Sequence, residues 1–315
     1  MELATSERQT WWAALEMTAS ERLLLAMTIG VGAMAYLFAT VLGRIVEWPP
    51  FLSSYVAAIG FVLVGSYIRN VKQKPRLALG LQGLGFYMAF ASPSAVLIYS
   101  FLPLTHPMID PFLTETGHWV GYDWREFVAF MVGYPKITYA LNLVYQSIIP
   151  QMLILVCVLA LYRRPVELFR YLFVGMISFL ITVALWWRWP SVGYVGVLPY
   201  TKEEMLAAGL QFSANKGEVL TRLLQEGVEI ISPPVITGIV GFPSYHIVMA
   251  LMVTWFGRRT LLFLPLLAVN LAMIPATLLH GGHHMFDLVG GLLVFILSVL
   301  VARRLIRPDN SPDQA

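Results

Sequence analysis

The chain has 315 residues, of which 58% are hydrophobic and only 12% are charged, and its mean hydropathy is +0.70. Soluble domains carry about 25% charged residues, so this composition excludes a water-soluble fold and predicts a membrane protein surrounded by lipids. The net charge of +3 is spread over several loops and indicates no nucleic-acid partner, and the single cysteine, Cys157, excludes an internal disulfide.

The predicted elements begin with an amphipathic segment and continue with apolar helices. The first 22 residues mix Glu and Arg with apolar positions, which is typical of a surface helix and not of a cleavable signal peptide. A helix needs about 20 mainly apolar residues to cross the hydrocarbon core. The stretch 110–139 is mixed in polarity and is predicted to be interfacial or re-entrant. We therefore expect an all-α, polytopic helical bundle with about eight transmembrane helices near residues 23–43, 51–68, 77–104, 144–162, 171–187, 243–257, 260–279 and 286–302.

The basic residues predict the orientation of this bundle. With eight antiparallel spans, 14 of the 21 Lys and Arg residues lie on one side and the other 7 lie on the opposite side. Positive charge accumulates on the cytoplasmic side of short loops. We therefore expect both termini in the cytoplasm, and the loops 105–143, 188–242 and 280–284 on the extracytoplasmic face of the plasma (inner) membrane.

The first segment whose residues could bind a ligand or catalyse a reaction is Gly241-Phe242-Pro243-Ser244-Tyr245-His246, which leads into the sixth predicted span. A helix starting here would hold Pro243 in its first turn, where a missing N–H costs no hydrogen bond. The unpaired N–H groups of that turn, the helix dipole and the Ser244 hydroxyl together favour an anion. The same letters also fit an ordinary helix start in which His246 is a satisfied polar residue.

The second segment is His280-Gly281-Gly282-His283-His284-Met285-Phe286-Asp287, which opens the last predicted span. Ionisable groups within spans are costly and by default indicate function. On a helix, His283 and Asp287 share one face, and the carboxylate would leave the far nitrogen of the ring able to attack or bind. His284, which would point about 100° away from His283 on a helix, is a possible substitute for His283 as the partner of Asp287. A proton relay or a metal cluster would use the same residue types.

These two segments resemble two of the three signatures of the type 2 phosphatidic acid phosphatase superfamily. The closer likeness is to the branch that includes fungal inositol phosphorylceramide synthase, which tolerates a bulky residue such as Tyr245 between Ser and His. Gly121-Tyr122-Asp123-Trp124 and Tyr145-Gln146-Ser147 also look like the upstream part of this branch. The resemblance covers roughly residues 108–300 and implies a six-helix phosphatase-type core preceded by two extra spans.

The resemblance also divides the chain. Residues 1–107 would hold the amphipathic N-terminus and the first membrane spans. Residues 108–302 would form a phosphatase- or phosphotransferase-like membrane domain, and residues 303–315 a cytoplasmic tail.

The resemblance implies a role for each matching residue. His283 would attack phosphorus and form a phosphohistidine, and Asp287 would hold its ring. His246 would protonate the leaving oxygen and then activate the acceptor. Ser244 would bind a phosphoryl oxygen, with Tyr245 and nearby backbone N–H groups completing the phosphate site. The substrate would be a lipid phosphate or phospholipid, with no metal and no cofactor.

One part of the family pattern is absent from the sequence. The main branch carries Lys, six residues, then Arg-Pro before the long outer loop, and a Ser-Arg pair ahead of the last histidine. Ala276-Thr277 replaces that pair here, without the arginine. Arg188, followed by Trp189-Pro190, is the preferred candidate for the phosphate-binding cation, with Lys136, Lys216 and Arg222 as alternatives.

Two other functions remain open at this point. Four histidines, His246, His280, His283 and His284, could ligate a metal or a haem, although the Pro-Ser pair before His246 would then have no purpose. A proton-coupled transporter could use the same His and Asp groups as a relay. The polar residues cluster at span ends here, whereas transporters often show internal repeats and helices broken at mid-span.

Overall fold

The computed structural model describes residues 13–194, 203, 206, 209–210, 219–220 and 222–307. Lys216, one of the candidate cations, lies outside the described residues. The helices are α1 (Ala19–Val41), α2 (Trp48–Asn70), α3 (Pro75–Ser100), α4 (Asp110–Trp119), α5 (Trp124–Val132), α6 (Pro135–Gln146), α7 (Ile148–Leu161), α8 (Pro165–Arg188), α9 (Tyr245–Gly257), α10 (Phe263–His280) and α11 (Met285–Leu305).

The predicted fold class is confirmed, and the described residues hold six or seven candidate spans where about eight were predicted. Six helices, α1, α2, α3, α8, α10 and α11, are long and apolar enough to cross a membrane. Within the described part of the chain, strand structure is limited to a parallel bridge between β1 (Ile45–Val46) and β2 (Ile230–Ile231). The predicted spans 144–162 and 243–257 correspond to the short helices α7 and α9, of 14 and 13 residues.

Helix breaks explain why two predicted spans are short. Apolar composition continues across Ser147, but the helix stops at Gln146 and restarts at Ile148. Helix α9 starts only at Tyr245, because Ser244 before it has an extended backbone, with φ −67° and ψ 108°. Pro243 therefore precedes the helix and does not occupy its first turn. Hydropathy reports burial in lipid or protein, and it does not report these local breaks.

The stretch predicted as interfacial or re-entrant contains a sharp bend. Helices α5 and α6 meet at 117°. Tyr134 lies between them with φ −127° and ψ 63°, outside the helical region, which the following Pro135 disfavours. The bent pair is a broken span or a re-entrant segment, and it carries Tyr145 towards the core.

The N-terminal helices α1, α2 and α3 pack closely and are tied to the rest of the bundle by α3. A Cβ on Gly85 would lie 2.8 Å from the carbonyl oxygen of Ala58, so only glycine permits this contact between α3 and α2. Glu21, which is fully buried, forms an ion pair with Arg69. Helix α3 also packs against α7 and α8. The N-terminal helices therefore reach the helices that carry the candidate site.

The alternating helices separate the bundle into two ends with different chemistry. Helices α3, α8 and α10 finish, and α9 and α11 start, at one end, which holds His246 and Asp287. The other end is basic: the guanidinium carbons of Arg258 and Arg303 lie 4.2 Å and 5.4 Å from the ring centroid of Trp255. The candidate site and this basic cluster thus lie at opposite ends of the bundle.

Candidate functional site

The predicted pair of His283 and Asp287 is formed. His283 Nδ1 lies 3.0 Å from Asp287 Oδ2, and both side chains are almost fully buried. The prediction placed His283 on the helix. Instead, His283 precedes the helix, because α11 begins at Met285 and His284 is its N-cap. The same Asp287 oxygen accepts the His284 N–H at 2.8 Å. The bond from Nδ1–H to the carboxylate fixes the ring tautomer and leaves the Nε2 lone pair available.

His284 belongs to a second histidine–carboxylate pair. Its Nε2–H donates to Asp110 Oδ1 at 3.0 Å, across 174 residues of sequence. The same oxygen accepts the Ser191 hydroxyl at 2.9 Å and the Gly193 N–H at 2.8 Å. This network joins the start of α4, the segment after α8 and the loop before α11. It holds in place the loop that carries His283.

Ser244 is the N-cap of α9, but its hydroxyl does not cap the helix. The backbone N–H of Ser244 donates to the Asp287 carbonyl oxygen at 2.9 Å, which joins the start of α9 to α11. Its Oγ is fully buried and has no hydrogen-bond partner among the described residues. An unpartnered buried hydroxyl costs about 1–3 kcal/mol. The Ser244 hydroxyl is therefore a buried donor without an observed acceptor at the start of α9.

The rings of His246 and His283 lie edge to face. Their ring centroids are 6.2 Å apart and their planes are inclined at 66°. Tyr145 stacks on His246 with ring centroids 4.2 Å apart and planes at 17°. This contact sets the plane of the His246 ring. The two histidine rings are therefore close enough to act on one substrate group.

Glycines allow the loop around His283 to pack closely against its neighbours. A Cβ on Gly281 would lie 2.6 Å from His283 Cδ2, and one on Gly193 would lie 2.3 Å from the Gly282 carbonyl oxygen. Gly193 also has φ +71°, a conformation that other residues rarely adopt. These positions need glycine because the loop backbone packs directly on the His283 ring and on the segment that holds Gly193.

Aromatic residues support the loop from the side of α5. The Trp124 indole N–H donates to the Leu278 carbonyl oxygen at 2.7 Å, and its ring stacks on Tyr194 at 5.3 Å. Tyr194 in turn contacts the His284 ring at 4.2 Å. Burial raises the pKa of the Tyr122 and Tyr194 phenols, and the carboxylates of Asp123 and Asp287 raise both further. Both phenols therefore remain neutral near the site.

Two of the predicted phosphate-binding residues have other observed partners. The Tyr245 hydroxyl donates to the Gly175 carbonyl oxygen at 2.9 Å, so this side chain is directed towards α8. Arg188 is exposed, and its guanidinium carbon lies 5.5 Å from the ring centroid of Trp189. Of the alternatives, Lys136 is exposed and Arg222 bonds Glu226 at 3.0 Å.

Asp110 and Ser191 contact the site although the sequence analysis did not indicate them, and Tyr145 contacts it from a run that was noted only for its family likeness. Asp110 is only 4% exposed although it is charged, and nothing in its local sequence distinguishes it from an ordinary first-turn acid. Tyr145 lies in the Tyr-Gln-Ser run that resembles the family, and this likeness is a usable signal. Ser191 and its neighbours carried no such signal, because their role depends on a contact across the fold.

The fold and the site define a polytopic helical membrane protein with a buried His–Asp pair opposite a second histidine. A family model described as the PAP2 superfamily matches residues 111–301, and the chain belongs to this superfamily. No curated protein and no solved structure matches the chain. Superfamily membership, predicted from the two signatures, is thus confirmed, and it indicates a phosphatase or phosphotransferase.

Proposed function

We propose that this chain is a lipid phosphatase or lipid phosphotransferase that works through a phosphohistidine on His283. The observation that carries the proposal is the pairing of His283 Nδ1 with the buried carboxylate of Asp287 at 3.0 Å, opposite the ring of His246. This arrangement gives one histidine an oriented lone pair and leaves the other for proton transfer. Both are needed for phosphoryl transfer in two steps.

In the first step, His283 Nε2 attacks phosphorus and the bond from phosphorus to the lipid oxygen breaks. The electron pair of that bond stays on the oxygen, which takes a proton from protonated His246. Asp287 stabilises the positive charge that develops on the His283 ring. With a lipid phosphomonoester as substrate, the products of this half-reaction are a phosphohistidine and a neutral lipid alcohol.

In the second step, neutral His246 takes a proton from the acceptor, and the acceptor oxygen bonds to phosphorus. The bond between phosphorus and His283 breaks, and its electron pair returns to Nε2. Water as acceptor makes the protein a phosphatase, and an alcohol makes it a transferase. The likeness to inositol phosphorylceramide synthase is the feature that favours an alcohol acceptor.

The phosphoryl oxygens would be held by fixed donors. Ser244 Oγ is buried at the start of α9 and has no partner among the described residues. The first-turn N–H groups of a helix have no intrahelical partners and lie at the positive end of its dipole. Tyr245 is the first residue of α9, so it would contribute through its backbone N–H. Arg188 is the cation that we propose for the remaining charge.

The direct test of this function is turnover of a panel of lipid substrates by detergent-purified protein. The panel contains phosphatidic acid, a polyprenyl diphosphate and a phosphosphingolipid, each with and without diacylglycerol, ceramide or inositol. We expect release of phosphate, or formation of a new phospholipid when an alcohol acceptor is present. Wild-type protein that turns over none of them would contradict the proposal.

Resistance to chelators follows from the proposed chemistry, because two histidines and fixed donors supply every group that the reaction needs. No set of three or more His, Cys, Asp or Glu residues in the described ranges is placed to hold a metal ion. We expect turnover to continue in excess chelator. Loss of turnover that one added metal restores would favour the metal-site alternative.

The proposed location of the site is the extracytoplasmic face of the plasma (inner) membrane. The support is the basic cluster around Arg258 and Arg303 at the opposite end of the bundle, together with the positive-inside rule. We expect external protease to cut a tag inserted near Lys216 and to spare a tag placed after Ala315. Cleavage of only the C-terminal tag would put the site on the cytoplasmic side.

A further inference from the structure

A cavity of about 710 Å³ adjoins the candidate site on the side of His246. Its walls come from helices α3, α6, α7, α8 and α9 and from the segment 236–240. Residues of α3 such as Phe90 and Ser94 form one wall, although α3 precedes the matched range 111–301. The superfamily segment alone would therefore leave this cavity open on one side.

The walls indicate an uncharged occupant. None of the described residues that line the cavity is Asp, Glu, Lys or Arg, so no wall charge could balance a phosphate. Most of the lining is aliphatic or aromatic, and cavities of about 300–1,000 Å³ with such walls are typical ligand sites. Of the two proposed catalytic histidines, the lining includes His246 and does not include His283.

Two buried hydroxyls indicate that the occupant also carries polar groups. Ser94 on α3 and Thr182 on α8 line the cavity and are 3% and 1% exposed. Neither hydroxyl has a hydrogen-bond partner within the described part of the chain. Buried hydroxyls normally have partners, so a ligand with an ester, amide or hydroxyl group would satisfy them.

The cavity reaches the lateral surface of the bundle between α3 and α7. Ala91 on α3 and Ile149 on α7 belong to its lining, and both are exposed. Helix α3 is long and apolar enough to span a membrane. A lipid could therefore enter from the side.

We propose that this cavity binds the lipid-alcohol part of the substrate, an uncharged apolar body whose oxygen lies at His246. The proposal rests on the function proposed above and extends it to the substrate class, with α3 as a wall that the superfamily segment does not supply. The lipid alcohol that leaves in the first step and a lipid alcohol that accepts phosphate in the second have the same chemistry. By microscopic reversibility, one cavity serves both.

The first test fills the cavity without touching the proposed catalytic groups. Ser94→Phe should lower turnover of a long-chain lipid phosphate about tenfold or more, the scale on which apolar pockets discriminate. Turnover of a water-soluble aryl phosphate should change less than about twofold. Ser53→Phe is the matched control, because Ser53 is exposed on α2 and does not line the cavity.

Equal effects of Ser94→Phe on both substrates, or no effect on either, would overturn the cavity proposal. Wild-type protein that releases phosphate from neither substrate would instead remove the proposed function. Ser94→Ala should keep long-chain turnover above that of Ser94→Phe, since it removes the hydroxyl and leaves the space.

The second test measures binding without turnover. In a Cys157→Ala background, we expect dioctanoylglycerol or hexadecanol to slow maleimide labelling of Ala91→Cys at the cavity entrance. Inorganic phosphate should not slow it. The control is Ala57→Cys, which is exposed on α2 away from the cavity.

The lipid added distinguishes the two sources of the alcohol. Protection by the neutral alcohol alone supports acceptor binding. Protection only by a non-hydrolysable long-chain lipid phosphonate supports binding of the leaving group. Protection by neither, or equal protection of Ala57→Cys, would contradict the proposal.

Discussion

Replacing His283 by alanine is expected to abolish turnover and to remove any acid-labile phosphoenzyme. The substitution deletes the nitrogen that attacks phosphorus, and it leaves the buried carboxylate of Asp287 without its ring partner. Because an unpaired buried carboxylate also destabilises the fold, His283→Asn is the better variant, since its amide can still donate to Asp287. The measurement is acid-quenched trapping of labelled phosphate on the protein, together with phosphate release.

Asp287→Asn tests the partner of the same pair. An amide in place of the carboxylate can no longer favour the Nδ1–H tautomer or stabilise a positive His283 ring, so we expect a folded protein that turns over poorly. His118→Ala, on a partly exposed histidine outside the site, is the matched control and should be unaffected.

A phosphoenzyme that still forms in His283→Asn would show that the attacking group is another residue.

Replacing His246 by alanine is expected to slow turnover of lipid phosphates by about 10²–10⁴-fold, the usual contribution of a general acid–base group. The leaving oxygen of a lipid alcohol needs a proton, whereas an aryl oxygen leaves without one. Formation of the phosphoenzyme from an aryl phosphate should therefore be largely preserved. Rapid-quench measurements with the two leaving groups check this difference.

The choice of substrate makes the His246 experiment decisive. Equal slowing of phosphoenzyme formation from alkyl and aryl substrates would show that His246 does not protonate the leaving group. Tyr145→Phe is a useful companion, because it keeps the aromatic ring that stacks on His246. It separates the effect of the phenolic hydroxyl from that of the stacked ring.

The sequence placed His284 about 100° from His283 on a helix, but both residues precede the helix, which begins at Met285. The His284 ring bonds Asp110 and is almost fully buried. His280 is likewise fully buried, with Nε2 2.8 Å from the Thr138 carbonyl oxygen. Alanine at either position would disturb the fold as well as the site, which is why His118 is the control.

The sequence by itself determined the class of the protein and the residues of its central pair. Low charge and long apolar runs leave a membrane bundle as the only way to bury the side chains and satisfy the backbone. His283 and Asp287 lie four residues apart, and alternating spans bring His246 to the same end of the bundle. These conclusions depend on composition, short spacing and chain direction, which are local properties.

The tertiary structure alone decided what surrounds that pair. The bond between His284 and Asp110 joins residues 174 positions apart, and Ser191 completes it from a third segment. The stacking of Tyr145 on His246 depends on the 117° bend between α5 and α6. The cavity beside His246 exists only because α3, from outside the matched segment, packs against α7 and α8. Each of these features depends on the packing of distant helices, for which neither periodicity nor hydropathy carries a signal.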